Sequence, residues 1–286
     1  MVIVGFALAA GLQASPDPVG VIGGEPAPSD VYDAVVRVDR LALATFCTGT
    51  LIRADLVLTA AHCVDDIEST SGLRVSFASG GSAEVDAFGF HPDYCLSCRV
   101  NRFDYAYLRL SAPVDTPPAA VLTDQETWDA TMRTSDVLTV VGFGEVPDNP
   151  TSASPRWKVD VPIRRFTDGG IEVVAGGDGF DSCEGDSGGP AFVTTADGTL
   201  VLAAVTSRGS EVCGAGGYYG VAYHAMAWLA DEVGDPTLCG EACGSCDCLD
   251  TRPLPEDGCC STDRPGDAPW LLLALLCLMR RRRAEK

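Results

Sequence analysis

The stretch Cys183–Pro190 reads C-E-G-D-S-G-G-P, and its serine is surrounded by residues that could activate it. A serine hydroxyl is a weak nucleophile unless its environment activates it. Ser187 lies among glycines, which permit tight turns and let a substrate carbonyl approach the backbone closely. The N–H groups of Gly185 and Ser187 could point together at a developing oxyanion. The stretch therefore predicts a nucleophilic serine beside an oxyanion hole, and the alternative is a glycine-rich loop with an incidental serine.

A histidine motif lies upstream of this stretch. The segment Leu58–Cys63 reads L-T-A-A-H-C, and His62 is one of only three histidines in the chain. A general base must lie within hydrogen-bond reach of the hydroxyl that it deprotonates. We predict that His62 is this base, and the alternative is a structural histidine at the end of a strand.

An acid motif lies between the other two. The segment Asp104–Leu110 reads D-Y-A-Y-L-R-L, so the acid comes immediately before an alternating strand. A buried carboxylate here would hold the imidazole in one tautomer and stabilise the imidazolium that forms. We predict that Asp104 is this acid, with Asp93 and Asp115 as less favoured alternatives.

Short apolar or alternating segments separated by turns fill much of the chain between residues 35 and 207. Asp197-Gly198 separates two such segments and predicts a tight hairpin. Many short strands joined in this way are typical of an all-β barrel or sandwich. Ala222, Met226, Leu229 and Val233 follow at helical spacing, and Gly234 and Pro236 then predict the end of a helix.

Together these motifs resemble the trypsin and chymotrypsin family of serine proteases over about residues 21–235. The order His62, Asp104, Ser187 is that of chymotrypsin-like enzymes, and it differs from the order in subtilisins and α/β-hydrolases. The resemblance implies two packed six-stranded antiparallel barrels with the active site between them, followed by a short C-terminal helix. It also implies endopeptidase activity on protein or peptide substrates, with no cofactor and no metal.

The resemblance further implies activation by proteolysis. Val21–Gly24 reads V-I-G-G and looks like the mature amino terminus of the family. Cleavage after Gly20 would free the α-amine of Val21, which would insert beside Asp186 and order the oxyanion loop. Because Gly20 is neither Arg nor Lys, another protease or signal processing is expected to make this cut. The alternative is that V-I-G-G is only a strand and a turn.

Asp181 lies six residues before Ser187, where the trypsin branch has the aspartate at the base of its primary pocket. This position predicts cleavage after Arg or Lys, and the alternative is a solvated loop acid. The resemblance implies further pocket and substrate-binding positions and two disulfides that fix the site. These residues are Ser182, Ser207, Gly209 and Gly220, and the cysteine pairs are Cys47 with Cys63 and Cys183 with Cys213.

Three positions depart from the family pattern. Thr48 replaces a glycine, and Phe143 and Arg208 each replace a tryptophan. Arg208 bears most on specificity, since a cation at the pocket mouth could repel a basic side chain or favour acidic flanking residues.

The chain of 286 residues is strongly acidic, with 40 Asp and Glu against 20 Lys and Arg. The resulting net charge of −20 argues against nucleic acid binding, which needs a basic surface. The 13 cysteines indicate export from the reducing cytoplasm. We therefore expect a monomer that is secreted or displayed at the cell surface.

The predicted amino-terminal segments are a signal peptide over residues 1–14 and a short propeptide over residues 15–20. Val2–Ala10 is apolar and Ala14 offers a small residue for cleavage, whereas the usual basic flank is absent, so the true start could lie upstream. The apolar run is too short to span a membrane.

The protease domain is expected to end near Asp235, with a Cys-rich linker over residues 236–268. Its cysteines could form a disulfide knot or a zinc site, and export favours disulfides. Residues 269–286 combine a short apolar run with Arg280–Arg283 and resemble the bacterial MYXO-CTERM sorting tail. That resemblance implies temporary membrane retention and cleavage near Cys259 or Cys260, and a permanent tail anchor is the alternative.

Two other functions stay open at this point. A catalytically silent binding module with a protease fold, displayed at the cell surface, would usually have lost a residue of the triad, and here none is lost. An esterase with the same triad is disfavoured by the order of the motifs.

Overall fold

The computed structural model describes residues 21–28, 30–144, 156–210, 212–240, 243 and 246–253. The predicted signal peptide, propeptide and apolar tail segment lie outside these residues. So do Cys259, Cys260 and the rest of the predicted linker beyond residue 253.

Strands dominate the described part of the chain. They are β1 (Glu25–Pro26), β2 (Val35–Arg40), β3 (Thr45–Arg53), β4 (Leu56–Thr59), β5 (Leu73–Phe77), β6 (Ser82–Phe90), β7 (Ala106–Leu110), β8 (Ala120–Val121), β9 (Val137–Gly142), β10 (Trp157–Phe166), β11 (Glu172–Ala175), β12 (Pro190–Thr194), β13 (Leu200–Gly209) and β14 (Gly217–Val221). The helices are α1 (Gln125–Thr131) and α2 (Tyr223–Val233). Short 3-10 turns occupy Ala61–Cys63, Thr70–Gly72, Asp168–Gly170 and Pro236–Cys239.

Two closed antiparallel barrels form the body of the protein, as predicted. The first has the strand order β2-β3-β4-β7-β6-β5 and closes because β2 also pairs with β5. The second has the order β9-β10-β11-β14-β13-β12 and closes because β9 pairs with both β10 and β12. Closure leaves no exposed edge in either barrel for unwanted strand pairing.

The alternation of apolar residues explains which side of each strand faces inward. In β2, Val36 and Val38 are fully buried, and residues two apart share one face of a strand. Together with Leu51 and Val57 they fill the first barrel. A larger core fills the second barrel and includes Leu58 of the first, so apolar packing continues across the junction between the barrels.

The predicted turn and helix signals lie where the chain changes direction. The turn at Asp197-Gly198 joins β12 to β13, and Gly198 has a φ of 88°. Helix α2 ends at Gly234, whose φ of 65° is the left-handed conformation that glycine adopts without cost. Ala222, which precedes the helix, and Met226 and Leu229 within it are fully buried.

The chain beyond the predicted domain end at Asp235 packs against the second barrel. Cys239 is bonded to Cys246, and Cys243 is bonded to Cys248, so these four cysteines form the disulfide knot rather than a zinc site. The hydroxyl oxygen of Tyr223 accepts hydrogen bonds from the N–H groups of Cys248, at 3.1 Å, and Leu249, at 3.2 Å.

Burial extends through this segment as well. Leu249 and Thr251 are buried, and Thr251 Oγ1 lies 2.9 Å from His224 Nε2 of α2. The described residues between 236 and 253 thus pack against the protein, whereas the predicted boundary near Asp235 stays a prediction. No helix in the described ranges is long and apolar enough to cross a membrane.

Candidate active site

The predicted acid and base meet where the two barrels join. His62 lies in the 3-10 turn after β4, and Asp104 lies just before β7. The distance from His62 Nδ1 to Asp104 Oδ2 is 2.8 Å, and the His62 backbone N–H donates to Asp104 Oδ1 at 3.0 Å. Ser207 Oγ, from β13, donates to Asp104 Oδ2 at 2.6 Å. The carboxylate thus joins groups from both barrels.

These contacts set the charge state of Asp104, which is 3% exposed. Burial by itself would raise the pKa of this carboxyl group, but the hydrogen bonds from His62 and Ser207 lower it below the ordinary value. An ionised Asp104 accepts the Nδ1 proton of His62, which leaves Nε2 as the acceptor nitrogen of the neutral ring.

Ser187 packs against the loop that carries His62. Its carbonyl oxygen accepts a hydrogen bond from Thr48 N at 2.9 Å and lies 3.7 Å from Cys63 Sγ. The Cys47–Cys63 disulfide is present and ties the turn that carries His62 to β3 of the first barrel, and the Ser187 carbonyl oxygen lies against this bridge. Among the described residues the Ser187 hydroxyl is not hydrogen-bonded to His62, and such contacts often tighten only when substrate is bound.

Glycine is required on both sides of this serine. Gly188 has a φ of 79°, and a Cβ there would lie 2.0 Å from Thr59 Oγ1. Gly185 has a φ of 89°, and a Cβ there would lie 2.7 Å from the ring of Phe46. A larger residue would therefore separate the serine segment from the histidine loop.

Thr48 and Phe143, two of the departures from the family pattern, are joined to each other. Thr48 Oγ1 donates to the carbonyl oxygen of Gly185 at 2.8 Å and accepts from Phe143 N at 3.1 Å. The threonine hydroxyl thus fixes the backbone beside Ser187, a contact that the sequence motifs did not indicate.

Asp186 is fully buried next to Ser187. Its oxygens accept hydrogen bonds from Gly144 N at 2.8 Å and Cys183 N at 2.9 Å. Burial outweighs these two bonds and raises the pKa of Asp186 to about 7. Val21 is also fully buried, and the next residue, Ile22, forms a bridge with Asp181.

Asp181 lies in a buried cluster of polar groups. Its carboxylate accepts hydrogen bonds from Ser182 N at 2.8 Å, Gly216 N at 2.8 Å and Tyr219 Oη at 2.9 Å. Burial nevertheless raises the pKa of Asp181. Tyr219 Oη also lies 3.2 Å from Ser182 Oγ. The Cys183–Cys213 disulfide closes this region.

The position of Gly220 differs from the expectation. A Cβ on Gly220 would lie 2.8 Å from the ring of Tyr105, away from Asp181. Gly217 instead borders the cluster, because its Cβ would lie 3.3 Å from Asp181 Oδ1. The pairing of β14 with β11 and β13, rather than a short sequence motif, places Gly217 beside Asp181. A Cβ on Gly209 would meet open space.

Arg208 forms an ion pair with an acidic side chain. Its guanidinium forms a two-point ion pair with Glu172, with Nη1–Oε1 at 2.7 Å and Nη2–Oε2 at 3.0 Å. Sequence reasoning missed Glu172. The available signal was Arg208 itself, because an arginine inside a buried strand requires a counter-charge.

Two groupings of cysteine with histidine or aspartate satisfy metal-ligand distances in the described ranges: Cys47 with His62 and Cys63, and Cys243 with Asp247 and Cys248. In both groupings the cysteines are joined in disulfides. A disulfide sulfur cannot act as the thiolate ligand that zinc needs.

Comparisons with known proteins agree with this architecture. The trypsin family matches residues 21–229. A trypsin of Saccharopolyspora erythraea is 31% identical over 219 residues, covering 70% of this chain and 91% of that protein. A trypsin-like protease of Streptomyces glaucescens is 28% identical over 234 residues, covering 74% and 81%. Coagulation factor IX of Oryctolagus cuniculus is 30% identical over 241 residues, covering 77% and 85%.

The two barrels and these relatives place the protein among the serine peptidases. The chain belongs to the trypsin family.

Proposed function

We propose that this protein is a secreted endopeptidase whose catalytic residues are Ser187, His62 and Asp104. The observation that supports this best is the 2.8 Å contact between His62 Nδ1 and the buried Asp104 carboxylate, directly beside the Ser187 segment. A histidine held in this way keeps Nε2 unprotonated and able to accept the serine proton.

The reaction proceeds in two halves. Ser187 Oγ attacks the substrate carbonyl carbon while His62 Nε2 takes the hydroxyl proton, and the N–H groups of Gly185 and Ser187 stabilise the oxyanion. His62 gives the proton to the leaving amine, and an acyl-enzyme remains. Water then attacks the ester by the same route in reverse, which regenerates the serine.

We propose that Asp181 selects Arg or Lys before the scissile bond. Its carboxylate is held by three hydrogen bonds at the base of a region bordered by Gly216 and Gly217, and a substrate cation would supply the missing counter-charge. Ser182 belongs to the same pocket. Gly217, rather than Gly220, is assigned to the pocket wall.

Ser207 and Gly209, at the end of β13, are proposed to hold the substrate backbone. Substrate segments bind proteases of this architecture as an added strand, and β13 presents its last residues at the junction of the barrels. Gly209 suits this role because the space beside it is open.

We propose that cleavage before Val21 activates the enzyme. Asp186 is fully buried, burial raises its pKa, and no cation of the described residues forms an ion pair with it. The new α-ammonium of Val21 would provide such a cation, and Val21 already lies inside the protein. The ion pair would order the loop that carries Gly185.

Export is supported by the five disulfides in the described part of the chain. We propose that the tail over residues 269–286 retains the protein at a membrane before release or surface display. Mass spectrometry of the mature protein from cell fractions tests this, since a sorting tail predicts a new C-terminus near Cys259 or Cys260 and a permanent anchor predicts an intact one.

Peptide-library profiling tests the activity. Protein processed to begin at Val21 is compared with the variants Ser187→Ala and Asp181→Ser, and Ser187 is labelled with an organophosphonate. We expect cleavage after Arg or Lys by the processed protein, none by Ser187→Ala, and loss of the basic preference in Asp181→Ser. A folded, processed protein that hydrolyses no peptide and takes no label would favour the silent binding module.

A further inference from the structure

A buried carboxylate at the barrel junction joins segments that are distant along the chain. Glu172, at the start of β11, is 1% exposed. Its oxygens accept hydrogen bonds from Asn101 N at 2.7 Å and Arg102 N at 3.1 Å. The two-point pair with Arg208 of β13 adds two more donors. Because burying an unpaired carboxylate is strongly unfavourable, these four donors make its burial tolerable.

The Arg208 guanidinium is likewise held on every side. Its carbon lies 4.0 Å from the ring centroid of Tyr218, a cation–π contact, and Nη2 donates to the carbonyl oxygen of Arg99 at 2.7 Å. The side chain is only 14% exposed. A cation that is paired, stacked and mostly buried repels a basic substrate side chain far less than a free one would.

A chain of hydrogen bonds connects the Glu172–Arg208 pair to His62. Arg208 Nη1 donates to Ser207 Oγ at 3.3 Å, and Ser207 Oγ donates to Asp104 Oδ2 at 2.6 Å. Asp104 Oδ2 in turn lies 2.8 Å from His62 Nδ1. Hydrogen bonds connected in a chain polarise one another. The bond that Arg208 donates to Ser207 Oγ therefore strengthens the bond that Ser207 donates to Asp104.

Glu172 also supports Asp104 through the backbone. Asn101 and Phe103, just before Asp104, have φ values of 54° and 49°. Asparagine adopts this left-handed conformation more readily than other side chains, whereas a bulky residue such as Phe103 adopts it when its surroundings impose it. The hydrogen bonds that Glu172 accepts from Asn101 and Arg102 hold this segment in place, and thereby hold the backbone from which Asp104 projects.

We propose that Glu172 and Arg208 form a positioning pair that orients Asp104 and Ser207 for the reaction. This inference rests on the proposed peptidase function and deepens it. Neither residue touches the reacting atoms. Arg208 occupies the position of a tryptophan in the family pattern, and its ion pair with Glu172 reduces the repulsion between its cation and the basic residue that Asp181 selects.

The test separates catalysis from stability. The processed protein is compared with Arg208→Met, Arg208→Lys, Glu172→Gln and the double variant Glu172→Gln/Arg208→Met. Arg53→Met is the matched control, since Arg53 pairs with Asp55 and Asp235 at 2.8 Å and contacts no residue of the triad. Each protein is measured for Tm, for kcat and KM on an arginyl peptide, and for active sites titrated with an organophosphonate.

We expect kcat per active site to fall roughly 10- to 100-fold in Arg208→Met and Glu172→Gln, the effect of losing a hydrogen bond to a charged group, with little change in KM. Arg208→Lys should recover only part of kcat, because an ammonium cannot bond both carboxylate oxygens as a fork. The double variant should regain Tm, since no charge is left unpaired, but not kcat. Arg53→Met should keep the wild-type kcat.

The outcomes are distinguishable. Wild-type kcat per active site in Arg208→Met, or in the double variant if the single variants do not fold, would overturn the positioning role. A change confined to KM would do the same. Absence of hydrolysis by the wild-type processed protein is a separate result, which would overturn the peptidase function and this role with it.

Discussion

Cleavage before Val21 is expected to change how the stability of the protein depends on pH. In the uncleaved chain burial raises the pKa of Asp186 to about 7, against an ordinary value of 3.8. The folded protein then holds a proton that the unfolded chain releases, so the free energy of unfolding falls as the pH rises from about 4 to about 7. A shift of about 3 units at ~1.4 kcal/mol per unit amounts to about 4 kcal/mol.

The cleaved protein is expected to behave differently. The α-ammonium of Val21, placed beside Asp186, favours the ionised carboxylate and lowers its pKa. The fall in stability between pH 4 and pH 7 should therefore shrink or disappear after cleavage. The same fall should be absent from Asp186→Asn, which has no proton to lose.

Urea unfolding measured in steps from pH 4 to pH 8 checks this expectation. All proteins carry Ser187→Ala to prevent self-digestion, and the uncleaved, cleaved and Asp186→Asn forms are compared. Asp181, whose pKa burial also raises, contributes a fall of the same sign to each form. Because the Asp181 charge also raises the pKa of Asp186, the differences between the forms report Asp186 together with its coupling to Asp181. The reasoning is refuted if the uncleaved protein and Asp186→Asn show the same pH dependence within the ~10–15% error of the extrapolation.

Three further outcomes are expected. Asp104→Asn should lower kcat by about 10⁴-fold with Tm nearly unchanged, because the amide favours the wrong imidazole tautomer. Stopped-flow hydrolysis measures kcat, and a loss under tenfold would contradict the proposed role of Asp104. Gly188→Ala should abolish activity and destabilise the fold. Gly198 has a similar φ of 88° but open space around it, so Gly198→Ala should lower the free energy of unfolding by about 1 kcal/mol in urea and keep full activity. Equal losses in the two variants would show that the contact with Thr59 is unimportant. Leu249→Ala should lower the free energy of unfolding by about 2–3 kcal/mol in the same assay, because the side chain is buried. An unchanged free energy of unfolding would contradict the packing of residues 246–253 on the second barrel.

Local patterns were sufficient for much of the fold. Alternating apolar residues mark strands because successive side chains point to opposite faces, and Asp197-Gly198 and Gly234 end elements by their own backbone preferences. The motifs proposed as catalytic are also local. The serine motif contains the glycines beside Ser187, and the histidine motif contains the cysteine beside His62.

Pairings between distant segments could not be predicted in this way. Gly217 and Gly220 lie three residues apart in β14, and the sequence alone does not decide which of them borders Asp181. The pairing of the strand places Gly217 there. The bond from Thr48 to Gly185 spans 137 residues, and no short-range pattern connects the two.

The sequence by itself determined the family, the order of the three motifs proposed as catalytic, and the all-β class, because each of these depends on residues close together in the chain. Only the tertiary structure decided that Glu172 neutralises Arg208 and that the knotted segment after Asp235 packs on the second barrel. Burial in a closed core brings such groups together, and the cost of leaving a charge or a polar group unpaired there selects their partners.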